Sequence, residues 1–154
     1  MNPNLDKLDV NALMNTPHEC VAFTVRKASR AISQIYEEAL HPTGLRGTQY
    51  SLLVATAFIG DQGIGALAEG LVTNRTTITR NLKPLIARGL IRNAPGPDRR
   101  TRGLELTDEG VEMIREAYPL WRAAQERVLK ELGQDRFDVV KSFADDAVKL
   151  AYAK

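Results

Sequence analysis

At 154 residues the chain has room for one compact domain, or for a small head joined to an assembly region, but not for two full-sized domains. Its 44% hydrophobic and 26% charged residues are those of a globular protein, and no stretch is expected to approach the eighteen or more apolar residues of a membrane span. The net charge of +2 is unevenly spread: residues 74–104 hold eight basic residues against the lone acid Asp98, net +7, while the remainder carries thirteen basic against eighteen acidic, net −5.

A cationic segment in an otherwise acidic chain attracts phosphate. The single cysteine, Cys20, rules out an internal disulfide framework, and residues 1–15 lack the basic start and apolar run of a signal peptide. A cytoplasmic protein without a membrane partner is therefore expected.

From Val21 onward the apolar positions Val25, Ala28, Ile32, Ile35 and Ala39 alternate spacings of four and three, the seam of a long amphipathic helix that Pro42 and Gly44 end. A second helix is predicted over 48–59, with Tyr50, Leu53, Val54 and Ala57 on one face. The Gly-Asp-Gln-Gly run at 60–63 is a turn, and a short third helix passes through Ala66, Leu67, Ala68 and Leu71. Asn74 can cap a fourth helix by accepting from its free first-turn donors. The inward face of that helix reads Ile78, Leu82, Leu85 and Ile86, which leaves Arg75, Thr76, Thr79, Arg80 and Lys83 outward. Pro84 predicts a kink beyond two intact turns.

Gly89 is a helix stop, Leu90-Ile91-Arg92 a short strand, Pro95-Gly96-Pro97-Asp98 a turn, and Gly103-Leu104-Glu105-Leu106 the returning strand of a hairpin with a basic tip. Thr107 can cap the next helix, with Asp108 and Glu109 near its positive end. That helix carries Ile114, Ala117, Trp121, Ala124 and Val128 at heptad-like spacing, bent by Pro119. A last helix from about Asp135 shows two apolar stripes, one from Phe137 to Ala151 and one through Val139, Phe143 and Leu150, and is predicted to be covered on more than one side.

This order of elements reads as a mainly α fold with a small β-wing: one domain, 1–154, with a winged helix-turn-helix over 48–107. The helical segments 17–43 and 110–152 have seams longer than so small a head can bury, so they are predicted to dimerise. In such a head the fourth helix enters a major groove by its N-terminal end. Arg75 or Arg80 can donate two bonds to a guanine edge, each good pair giving about 1–3 kcal/mol of discrimination. Thr76, Thr77 and Thr79 suit phosphates or a thymine methyl, and Lys83 adds charge. The basic hairpin, with Arg99, Arg100 and Arg102, can reach the flanking minor groove. Double-stranded DNA is thus the expected partner. The alternative is a winged-helix protein-interaction scaffold without specific DNA binding.

Three segments also resemble a known family: the Gly-Leu-Arg-Gly-Thr-Gln-Tyr-Ser-Leu-Leu run at 44–53, the recognition segment 71–90, and above all Asp98-Arg99-Arg100 followed by Leu104-Glu105-Leu106-Thr107-Asp108-Glu109-Gly110. The chain resembles the multiple-antibiotic-resistance regulator (MarR) family of bacterial winged-helix regulators. The resemblance implies a homodimer with interlocked first and last helices, acting on a pseudo-palindromic operator. In it Arg100 enters the minor groove and Asp98 pairs with a neighbouring arginine to brace the wing. It further implies a repressor released by a small aromatic or phenolic effector, or by oxidation of a cysteine near the first helix, where Cys20 falls close to His18, Glu19 and Arg26. Arg46 departs from the family pattern, standing where many relatives start the next helix with a capping threonine.

Tyr36, Tyr50, Phe23 and Trp121 are candidates for an aromatic-binding crevice, although aromatics at helical spacing usually serve a core. Two histidines, His18 and His41, and one cysteine are too few for most metal sites or catalytic triads. Gly63-Ile64-Gly65 lacks the third glycine and preceding strand of a dinucleotide loop. No enzyme activity, catalytic residue, metal or cofactor is expected.

Overall fold

The computed structural model describes residues 7–97 and 102–152. In chain order they form α1 (Val10–Glu19), α2 (Val21–Leu40), α3 (Gly47–Ile59), α4 (Gly63–Gly70), α5 (Arg75–Ala87), β1 (Ile91–Pro95), β2 (Arg102–Leu106), α6 (Asp108–Leu132) and α7 (Gln134–Tyr152). The chain divides within α2 into two compact units, residues 1–35 and 36–154.

The first unit holds a helix that the spacing of apolar residues does not announce, α1, which carries Pro17 in its interior. Cys20 lies between α1 and α2, half-buried. Its amide donates to the Thr16 carbonyl at 2.9 Å, and its own carbonyl accepts from the Thr24 amide at 3.1 Å. Helical hydrogen bonding therefore passes through the joint.

The second unit is built on one apolar core. Leu40 ends α2 inside it, joined by Leu52 and Leu53 of α3, Leu67 of α4, Ile78 and Leu85 of α5, and Ile91 and Leu104 of the hairpin. Each fully buried side chain of this size contributes about 1.5–3 kcal/mol, so the helices and hairpin are held by this shared centre more than by their own propensities. Residues Gly47–Gly70 reach a mean hydropathy of 1.4 over eighteen residues, long and apolar enough for a span by composition, contrary to expectation. The run is two helices, however, parted by a 3-10 turn at Gly60–Gln62, with Gly63 at φ 85°, and its leucines face the core.

The start of α3 explains how Arg46 replaces a capping threonine. A guanidinium has no acceptor, so only half of the capping box is made, the Arg46 amide donating to Gln49 Oε1 at 2.9 Å. Glu37 of α2 supplies the missing acceptor, taking the Gly47 amide at 2.8 Å.

Helix α5 continues through Pro84 to Ala87, and Leu82 and Leu85 are buried as the spacing predicts. Ile86 is not inward but 40% exposed. Successive helical residues are turned about 100° apart, and Leu85 already occupies the core direction. Gly89, at φ 71°, ends the helix, and the Leu90 amide reaches back to the Leu85 carbonyl at 2.9 Å. The hairpin is antiparallel, with Ile91 opposite Leu106, Arg92 opposite Glu105 and Pro95 opposite Arg102.

Thr107 then caps α6, its hydroxyl oxygen accepting from the Gly110 amide at 3.0 Å while its proton goes to the Gly89 carbonyl at 2.6 Å. Gly110 is required by close approach: a Cβ there would stand 2.0 Å from the Leu90 carbonyl oxygen. The Leu-x-Leu-Thr-x-x-Gly pattern is thus the joint where α5, the hairpin and α6 meet. In the first turn of α6, its own backbone amide holds the Glu109 carboxyl below the usual glutamate range. Helix α6 runs past Pro119, burying Ala117, Ala124 and Val128.

On α7 the expectation of cover on several sides is not met within the chain. None of its described residues is buried, Val139 being 68% and Leu150 83% exposed.

Candidate nucleic-acid interface

Helices α4 and α5 pack on α3 and on each other as a helix-turn-helix. The turn closes with the Val72 amide on the Glu69 carbonyl at 3.0 Å and the Thr73 amide on the Ala68 carbonyl at 2.8 Å. This places Val72 at φ 50°, the left-handed conformation that helix ends normally give to glycine. Asn74 follows in extended geometry, and its Oδ1 accepts from the Thr77 amide at 2.8 Å, the predicted cap.

The cap orients the outer face of α5. Arg75, Thr76, Thr79, Arg80 and Lys83 are exposed there, and Thr77 is half-buried beside Ile78. The Thr79 hydroxyl donates to the Arg75 carbonyl at 2.8 Å, so toward an outside partner it can only accept. Arg75 turns its guanidinium toward α4, where a Cβ on Gly65 would meet Nη2 at 2.9 Å.

Not every cation of the basic segment faces outward freely. Arg88 donates to the Thr43 and Gly44 carbonyls at 3.1 and 3.2 Å, tying the end of α5 to the turn after α2. Arg92 pairs across the hairpin with Glu105 at 2.6 Å. Arg102 opens β2 and is exposed. Asp98, Arg99 and Arg100, the remaining predicted wing residues, lie outside the described residues. Among the described strand residues the cross-strand ion pair is Arg92 with Glu105. Such an exposed pair contributes about 0–1 kcal/mol and serves orientation more than stability.

Of the crevice aromatics, Tyr50 stacks on Trp121 with centroids 6.1 Å apart, and Trp121 on Tyr118 at 6.0 Å. Tyr50 is buried in the core, and burial pushes its phenol above the usual range. The Tyr36 hydroxyl donates to Gln125 Oε1 at 2.5 Å. Phe23 and Cys20 belong to the first unit. Among the described residues no group of three His, Cys, Asp or Glu side chains is arranged to hold a metal ion.

No protein-family model matches the chain. Among solved structures, the transcriptional regulator MosR of M. tuberculosis, crystallised in complex with DNA, is 34% identical with a TM-score of 0.74, covering 87% of this chain and 99% of its own. The chain belongs to the MarR family. Another solved relative is the repressor CouR of Rhodococcus jostii, with a TM-score of 0.76, 22% identity and coverage of 88% of this chain and 97% of its own; it has also been crystallised with p-coumaroyl-CoA. The transcriptional regulator MhqR of Bacillus subtilis is 23% identical over 114 residues, 73% of this chain and 79% of the relative.

Membership of the MarR family makes the chain a DNA-binding transcriptional regulator rather than an enzyme, with the winged helix-turn-helix as its characteristic element. Within that frame, sequence reasoning missed Glu37, the anchor made by Arg88, the Arg92–Glu105 pair and Gly65 under Arg75. Only the pair left a partial signal, two strand residues of opposite charge; the 95–98 turn read from the sequence would set 92 opposite 101, and it is the observed register, with Pro95 opposite Arg102, that brings 92 and 105 face to face.

Proposed function

We propose that the chain represses transcription as a cytoplasmic homodimer on a pseudo-palindromic operator, with α5 in the major groove and the hairpin tip over the adjoining minor groove. The observation that carries this reading is the outer face of α5, where a capped N-terminus presents Thr76, Thr79, Arg80 and Lys83 with their outer ends uncovered. Thr77, Arg75 and Arg102 extend the same surface, and Asp98, Arg99 and Arg100 are assigned to the wing. The complex of MosR with DNA supports the assignment, since MosR shares a third of its sequence with this chain. The dimer is supported by the uncovered stripes of α7.

The test is the salt dependence of binding to duplex DNA, because each neutralised phosphate contributes a log-log slope of about −0.9. Wild-type protein should bind a duplex selected from a random pool with a steep slope and prefer it to a scrambled one. Arg80→Ala or Thr76→Ala should reduce that preference, each lost base contact costing about 1–3 kcal/mol. A protein-interaction scaffold gives no specific duplex complex, and that outcome rejects the reading.

The signal is assigned to a small aromatic or phenolic molecule, in line with the aromatic acyl ligand of CouR, or to oxidation of Cys20. Cysteine oxidation needs access, which half-burial leaves open. If Cys20 is the sensor, Cys20→Ser should abolish peroxide-induced release of the duplex. Unchanged release in a mobility-shift titration removes Cys20 as the sensor.

A further inference from the structure

Arg75 is the first residue of α5, yet its guanidinium does not extend ahead of that helix. It lies over the first turn of α4, close enough to Gly65 that a Cβ there would stand 2.9 Å from Nη2, 3.5 Å from Cζ and 3.7 Å from Nε. The nearest of these distances is shorter than real side chains tolerate. A side chain at position 65 would push the guanidinium away from where it now lies, and only the far end of a flexible arm would have to move. Among the described residues, no hydrogen bond or ion pair engages the guanidinium, so its five N–H donors lie beside α4 without being used up.

We infer that Gly65 is a positioning residue that seats Arg75 on α4, and that Arg75 so seated grips a DNA phosphate rather than a base edge. The inference rests on the proposed docking of α5 in the major groove. In a helix-turn-helix the second helix reads bases while the first crosses the backbone, so a guanidinium resting on α4 belongs to the element that meets phosphates. This assigns Arg75 a different task from the guanine contact that its position at the start of α5 suggests in the sequence alone. Arg80 and Thr76, which lack such a seat, keep the bases.

Gly65 has no positive φ to protect. Alanine there suits the helix backbone at least as well as glycine, and the atom in its way is the far end of a flexible side chain. Gly65→Ala should therefore leave Tm unchanged or raised while displacing Arg75. Fluorescence anisotropy would be measured from low to high KCl on two duplexes of equal length, one selected by the wild-type protein from a random pool and one scrambled. Arg75→Ala should weaken both by the same factor, about fivefold at 0.15 M salt, and reduce the slope by about 0.9. Gly65→Ala should shift both quantities in the same direction and add nothing when combined with Arg75→Ala.

A changed base preference in Arg75→Ala at constant slope overturns the phosphate assignment. Binding by Gly65→Ala indistinguishable from wild type overturns the positioning role. Failure of the underlying reading looks different, because selection with wild-type protein would then enrich no duplex over the random pool.

Discussion

Thr107 serves two elements with one hydroxyl group. Its oxygen accepts from the Gly110 amide and caps α6, while its proton satisfies the Gly89 carbonyl at the end of α5. Thr107→Ala removes both at once and should destabilise the protein by about 1–2 kcal/mol, a cap plus a neighbouring hydrogen bond. Thr107→Ser keeps the hydroxyl and should stay within about 0.5 kcal/mol of wild type, the range of substitutions that disturb no special feature. Urea unfolding at constant m separates the two outcomes, and an alanine variant as stable as the serine one would show the shared bond to be inert. The cap was legible in the sequence because it spans three residues and needs only local geometry. The bond to Gly89 was not, since it depends on where α5 stops and on the hairpin returning Thr107 to that point.

The turn between α4 and α5 shows the same divide at the level of an element. Helix limits from α2 to α6 follow the apolar spacing closely, because each helix buries one stripe in a common core. Two features escaped. Helix α1 was hidden by Pro17 and by the lack of a continuous apolar stripe. The left-handed residue at the turn was hidden because it is a valine, the residue type least suited to that conformation.

Val72 at φ 50° carries strain of about 1–3 kcal/mol, and with 49% of its surface exposed its side chain recovers little by burial. Val72→Gly relieves the strain but loosens the unfolded chain by about 0.5–1 kcal/mol, so a net gain near 1 kcal/mol is expected. A raised urea midpoint at unchanged m checks it. A destabilised variant would mean that the valine side chain braces the turn more than its backbone strains it.

At the scale of the whole molecule, the seam of α7 was readable as a pattern while its partner was not, because a single sequence does not say whether a stripe is covered by its own chain or by another copy. Val139 and Leu150 are both more than two-thirds exposed, and no described residue of the helix is buried. Such a row of apolar side chains is unstable in water unless something covers it. A second copy places two reading heads on one duplex, which is what a two-fold operator demands.

The charged pair of substitutions Val139→Glu and Leu150→Glu tests this cleanly, because neither side chain contributes to the core of the single chain. Light scattering should then report the 17.0 kDa chain in place of twice that mass. The circular dichroism of the folded head should persist. Binding to a full two-fold site should fall about a hundredfold or more, toward that of a half-site, as the second head loses its effective concentration. A variant that remains dimeric and binds as tightly would move the subunit contact away from α7, and with it the geometry that sets the spacing of the two recognition helices.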